Sequence, residues 1–186
     1  MIETIAVTLL PVLFLIGLFS TKELFRRSNI DMDGEPPIDR TLLYPSKYAI
    51  PALWAAMVLQ SWGVNLSFVK VGTSIRSISL ILWYVGFILL FAGRFGLGDS
   101  SRIGSPREST NLKVDGLFRF SRDPMYLGVF STIIASVLYT MNPILLVVCI
   151  FVIAVHHKIV LAEEQHLQKV FGQEYADYRR GVRRYV

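Results

Sequence analysis

The stretch MYLGVFSTIIASVLYTMNPILLVVCIFVIAVHHKIVL, residues 125–161, decides the fold. It holds no acidic residue, and Lys158 near its end is its one Lys or Arg. A helix rises about 1.5 Å per residue, so roughly 20 apolar residues cross a hydrocarbon core about 30 Å thick. The stretch is long enough for two such helices. Asn142-Pro143 in its middle is a turn signal that interrupts a continuous helix. The pattern predicts a tight helical hairpin within a bilayer.

Working outward, three further apolar runs meet the same length test: about Ile2–Ser20, Tyr48–Phe68 and Ser77–Phe95. The expected fold is all-α, a polytopic membrane bundle of about five transmembrane helices followed by a C-terminal cytoplasmic amphipathic helix. It forms one domain, 1–186, with three helices in 1–95 and a second half, 96–186, carrying the chemistry. The composition agrees: 53% of the 186 residues are hydrophobic, and the mean hydropathy is +0.48, too apolar for an ordinary soluble chain.

The net charge of +5 could suggest a nucleic-acid partner, but the cations are segregated between apolar runs. Seventeen of the nineteen fall in 20–47, 94–124 and 157–186, which share one face if there are five spans; only Lys70 and Arg76 fall elsewhere. The positive-inside rule puts that face in the cytoplasm, with the N-terminus outside and the C-terminus inside. No nucleic acid is expected as a partner. Met1-Ile2-Glu3 lacks a basic n-region, so the first run reads as a retained helix rather than a removable signal. The lone Cys149 sits in an apolar run and excludes an internal disulfide.

Polar residues gather in two places. The first is GLGDSSRIGSPRESTNLKVDGLFRFSRDPMY, residues 96–126, read as a long ordered loop. Its end suggests a helix start, with Asp123 as N-cap and Pro124 at the first helical position. Arg122 then precedes the helix and Tyr126 lies in its first turn, where both could meet an anionic group beside free backbone N–H donors. The alternative is a capping motif with an interfacial Arg and Tyr.

The second place begins at His156, His157 and Lys158 and continues through Glu163, Glu164, Leu167, Val170, Phe171, Tyr175 and Tyr178. At about 100° per residue, both carboxylates fall within roughly 60° of the apolar stripe through Leu167. Carboxylates there need a partner, either a ligand or an ion pair with Arg119 or Arg122. Adjacent histidines point about 100° apart and do not chelate one ion together, so no metal is expected and interfacial anchoring is the default. Arg179, Arg180, Arg183 and Arg184 read as a solvated or headgroup-facing cluster without a catalytic part.

GLFRFSRDPMYLG at 116–128 and EEQHLQKVFGQEYADYRRGVRRY at 163–185 together resemble the isoprenylcysteine carboxyl methyltransferases and their phospholipid methyltransferase relatives. The resemblance covers residues 96–185 and rests on two motifs in order, an Arg-x-Pro-x-Tyr motif before a hairpin and a Glu-Glu motif after it. It implies S-adenosyl-L-methionine as cofactor, held at the cytoplasmic face by Thr110, Asn111, Leu112, Lys113, Phe118, Asp123, Pro124, Met125, Tyr126 and Glu163. Two positions depart from the family pattern. Asp123 stands where the family most often has His. Ile159 stands where eukaryotic members carry an Arg for the substrate carboxylate, a role left to Lys158 or His157.

The implied reaction is methyl transfer to a lipophilic small-molecule or lipid-anchored substrate that enters from the membrane lipids. A carboxylate acceptor needs no base; an amine or hydroxyl does, and Glu164, His157 and Tyr126 are the candidates. Arg122 is the expected orienting group, so the catalytic set is Arg122, Tyr126 and Glu164. An NADPH-dependent sterol-type reductase shares a related Arg-x-Pro-x-Tyr motif, but the Glu-Glu and Phe-Gly motif fits the methyltransferases better. A membrane scaffold or transporter would carry more polar residues in mid-helix than Gln60 and Ser61 supply.

Overall fold

The computed structural model describes residues 1–27, 38–97 and 112–185. Within these, five α-helices follow one another: α1 (Ile2–Arg27), α2 (Arg40–Ser61), α3 (Thr73–Leu97), α4 (Pro124–Thr140) and α5 (Pro143–Gly181). A short 3-10 helix, Gly116–Arg119, precedes α4. Four of the helices are long and apolar enough to cross a membrane, and α4 is a shorter apolar helix of 17 residues. The chain is a helical membrane bundle. Residues 98–111, the first part of the stretch read as an ordered loop, lie outside the described residues.

The hairpin forms where Asn142-Pro143 requires it. Met141 is left-handed (φ 43) and ends α4, and the Asn142 Oδ1 accepts from the N–H groups of Ile144 and Leu145 at 2.9 and 3.3 Å. The Asn142 amide also donates to the Leu66 carbonyl at 2.8 Å, tying the α2–α3 connection to the hairpin. Asn142→Ala removes both functions and is expected to lower stability by about 1–2 kcal/mol, measurable as a fall of several degrees in Tm in detergent.

Two boundaries differ from the sequence expectation. The second span, expected over Tyr48–Phe68, is the helix Arg40–Ser61. It starts early because the Asp39 carboxylate accepts from the Thr41 N–H at 2.9 Å, and it stops at Gly63, whose φ of +93 a helix does not accommodate. The C-terminal amphipathic helix is present, set off from the transmembrane part of α5 by a kink and not by a loop. It continues α5 through Gly172, a residue with φ 53 and ψ −118 that bends the chain.

Packing is tightest between α3 and α4, at glycines. A Cβ on Gly128 would stand 2.8 Å from the Gly86 carbonyl oxygen, and one on Gly86 would stand 2.9 Å from the Gly128 carbonyl oxygen. Small residues permit this approach, which dispersion and close packing then stabilise in a bilayer. Beside this contact, Trp54, Trp83 and Phe87 form a buried aromatic group, and Phe14 of α1 packs edge-on against Trp54 and Phe91. At the other end of α1, the Tyr139 hydroxyl donates to Glu3 at 2.6 Å and Arg76 pairs with Glu3 at 2.9 Å. Helix one is therefore part of the bundle. Its start lies at the end opposite residues 112–123 and 157–185.

Candidate functional site

The site forms where the chain enters α4 and where the bent end of α5 returns to meet it. The return is held by backbone pairing: the N–H groups of Arg122 and Asp123 donate to the carbonyls of Arg183 and Arg184 at 3.0 and 3.2 Å. The Ser121 hydroxyl donates to the Arg184 carbonyl at 2.9 Å. Further along, the Tyr178 hydroxyl donates to the Phe118 carbonyl at 2.6 Å. The 3-10 helix, the start of α4 and the tail after Gly172 thus close on one another.

Between them lies a cavity of about 120 Å³ lined by Leu112, Lys113, Phe118, Arg122, Asp123, Leu167, Tyr175 and Tyr178. Five of these, Leu112, Lys113, Phe118, Arg122 and Asp123, are site residues read from the sequence. Leu167, Tyr175 and Tyr178 were seen only as parts of an apolar stripe. Thr110 and Asn111 lie outside the described residues.

Asp123 occupies the N-cap position but makes no capping bond through its side chain. Its ψ of 59 departs from the extended geometry that aims a cap at the following N–H groups. Its Oδ2 is instead buried without a hydrogen-bond partner among the described residues. Burial, reinforced by the nearby carboxylates of Glu163 and Glu164 and opposed by Arg122 and Arg184, pushes its carboxyl up to about 7. An orphaned carboxyl at the edge of a cavity is a group arranged to meet a ligand.

Glu163 and Glu164 have separate partners. Glu164 is buried, takes two charge-assisted hydrogen bonds from Arg184, Nε at 2.8 Å and Nη2 at 2.9 Å, and forms an ion pair with Arg122 Nη2 at 2.9 Å. Of the two arginines offered from the sequence, Arg122 is the partner; Arg119 is exposed. Arg184, expected in the solvated cluster, is the second partner, because the chain reverses at Gly172 and residue spacing along a straight helix does not show it. Glu163 accepts from the Tyr126 hydroxyl at 3.0 Å.

Tyr126 therefore does not stand with Arg122 around one anionic group. It is absent from the cavity walls and packs in an apolar cluster with Ile38, Leu43, Val155 and Ile159, between α2, α4 and α5. The Tyr126 ring also meets His156 edge-on at 6.1 Å. His156 is buried, with Nδ1 2.9 Å from the Val152 carbonyl, and His157 Nδ1 lies 2.8 Å from the Tyr185 hydroxyl. Burial sets His156 apart from the interfacial anchor that sequence alone suggests, whereas His157 is half-buried. Pro124 is buried at the start of α4. The Met125 side chain meets α3 at Gly93, where an added Cβ would approach its Cγ to 2.6 Å. Lys158 is exposed on α5.

Comparison with known proteins bears on the same region. Residues 74–174, from α3 through most of α5, match the family model of phospholipid methyltransferase. Over 109 residues the chain is 30% identical to protein-S-isoprenylcysteine O-methyltransferase of Saccharomyces cerevisiae, a match covering 53% of this chain and 46% of the yeast protein. The chain thus spans less than half the length of that relative. The family match covers more than half of the chain and contains the hairpin, the first motif, the Glu-Glu and Phe-Gly part of the second and most of the cavity wall. The chain belongs to the phospholipid methyltransferase family.

Proposed function

We propose that this protein is a membrane methyltransferase that uses S-adenosyl-L-methionine to methylate a lipophilic acceptor. The observation that carries the reading is Asp123, whose Oδ2 is buried without a hydrogen-bond partner among the described residues, in the wall of a cavity with three aromatic side chains, Phe118, Tyr175 and Tyr178. That donor set suits the cofactor. Asp123 accepts from an ammonium or a ribose hydroxyl, Lys113 and Arg122 favour a carboxylate, and aromatic faces favour a purine and a sulfonium cation. At about 120 Å³ the cavity is smaller than the roughly 300–1,000 Å³ of ligand pockets, so the described walls hold part of the cofactor. Thr110 and Asn111 are proposed to complete them, and Pro124, Met125, Tyr126 and Glu163 to support them from behind.

When bound, the cofactor supplies an electrophilic methyl group on sulfur. The chain's own task is to hold donor and acceptor in line and keep water out. Glu164, shared by two guanidiniums, is a poor proton acceptor. For an amine or hydroxyl acceptor the remaining candidates are His157, whose Nδ1 lies 2.8 Å from the Tyr185 hydroxyl, and Tyr126 paired with Glu163 beside the apolar cluster around Leu43 and Ile159. The acceptor's apolar part is assigned to that cluster, reached from the lipid. An S-prenylated acceptor, as the yeast relative's name describes, is compatible with these apolar walls. A carboxylate contact at residue 159 is not, since Ile159 is buried and apolar. The basic end of the bundle, which holds the site and the C-terminal residues, is assigned to the cytoplasm and the Glu3 end to the outside. Residues 1–95 and 96–186 are read as two parts of one domain.

Calorimetric titration of the purified protein tests this. Saturable binding of S-adenosylmethionine and S-adenosylhomocysteine is expected; binding of NADPH in their place would point to a reductase, and binding of none of the three would overturn the reading. The pH dependence follows from Asp123. Its folded-state value near 7 lies above the ordinary 3.8, so the ligand-free protein loses stability as pH rises through that window, while affinity for an ammonium-bearing ligand rises. Asp123→Asn is expected to weaken S-adenosylhomocysteine binding about tenfold at pH 8 and to flatten its dependence between pH 6 and 8.

A further inference from the structure

We infer that Arg184 is a positioning residue whose grip on Glu164 keeps Arg122 available to the cofactor's carboxylate. The inference rests on the cofactor assignment above. Arg122, Glu164 and Arg184 place one buried carboxylate between two guanidiniums, which leaves the group with a net positive charge. The division of contacts is uneven. Arg184 engages both oxygens of Glu164, through Nε and Nη2 at 2.8 and 2.9 Å, whereas Arg122 reaches only Oε1, through Nη2 at 2.9 Å.

Arg122 is also one of the residues lining the cavity. Its Nε is buried with no hydrogen-bond partner among the described residues, its Nη1 lies 3.5 Å from the Tyr175 hydroxyl, and its side chain is only 8% exposed. A buried guanidinium with an unused N–H at a cavity wall is a carboxylate receptor. It keeps that capacity because Arg184 supplies most of what Glu164 requires. Without Arg184, Glu164 would draw Arg122 into a one-to-one pair, and the positive charge offered to a ligand would be neutralised. Arg184 itself is not one of the residues lining the cavity. It arrives there through the turn at Gly172 and is fixed by its own carbonyl, which accepts from Ser121 and Asp123.

The test uses two ligands that differ by one group: S-adenosylhomocysteine and its decarboxylated analogue, which keeps the ammonium. Arg184→Ala is expected to weaken binding of the first by about tenfold or more and to leave the second within about twofold. Arg184→Lys, which keeps the charge but not the forked contact, should fall between wild type and Arg184→Ala for the first ligand and match wild type for the second. This milder variant supplies the reading if the alanine protein does not fold. Equal weakening of both ligands would show a purely structural residue and overturn the inference, as would wild-type affinity of either variant for S-adenosylhomocysteine. If the wild-type protein binds neither ligand, the cofactor assignment itself fails, and this inference falls with it.

Discussion

Glu164→Ala is expected to destabilise the protein by about 3–5 kcal/mol and to abolish cofactor binding. The magnitude follows from removing the sole anion held between two guanidiniums: Arg122 and Arg184 would face each other as like charges, one of them almost fully buried, with no partner to offset the lost hydration. The same substitution loosens the tail, since the Arg184 side chain and its backbone pairing with Asp123 hold a single segment in place. Thermal denaturation in detergent should show a large fall in Tm, and limited proteolysis should cut after Gly172 at a lower protease concentration than in wild type. Glu164→Gln, which keeps the shape and part of the hydrogen bonding, should lose less. A protein of wild-type Tm carrying Glu164→Ala would mean that the three-residue cluster contributes nothing to the fold.

Gly128→Leu is expected to prevent folding of the bundle altogether. The α3–α4 contact leaves no room for even a methyl group: the nearest atom to an added Cβ is a backbone oxygen, Gly86 O at 2.8 Å, which no side-chain rotation relieves. Leucine would drive the two helices apart and break what depends on their registry. The Ser79 hydroxyl donates to the Ala135 carbonyl at 2.7 Å across the same interface, and Met125, at the start of the site, is seated against Gly93. The expected result is aggregated protein, or a loss of more than about 3 kcal/mol where folding survives. Gly17→Leu, on a helix face where an added Cβ meets nothing within 4 Å, should be tolerated. Size-exclusion profiles of the two variants, expressed side by side, make the comparison.

The fold was legible because bilayer physics leaves few options. A long apolar stretch with Asn-Pro at its middle becomes two helices, and the observed break falls between Thr140 and Pro143. Boundaries set by hydropathy were less well read. Helix α2 begins at Arg40, well before its apolar portion, because a cap at Asp39 and not hydrophobicity starts it. The site was legible in part. A polar motif before a membrane helix pointed to Arg122, the resemblance alone pointed to Asp123 as a ligand contact, and the pairing of Arg122 with Glu164 is one of the two ion pairs, with Arg119 or Arg122, that the sequence reading offers.

Arg184 was missed for a physical reason. Reading an amphipathic stripe assumes a straight helix, and Gly172 ends that assumption with a positive φ that a sequence does not display. Asp123 was identified correctly as the residue before the helix and incorrectly as its side-chain cap. Whether an aspartate caps or points elsewhere depends on its backbone angles, which the identity of the residue does not display, and here ψ is 59 while the Asp123 N–H is tied to the Arg184 carbonyl.

The bend at Gly172 also bears on timing. Helices enter a membrane in the order in which they are made, and α1 to α4 emerge before residues 182–185 exist. Until those residues arrive, Arg122 and Glu164 have one partner fewer and the backbone of Arg122 and Asp123 lacks its acceptors. Closure of the cavity is therefore a late event in the life of the chain, postponed until the helices are already set in the lipid, and a polypeptide halted before Arg184 would leave Glu164 with Arg122 alone.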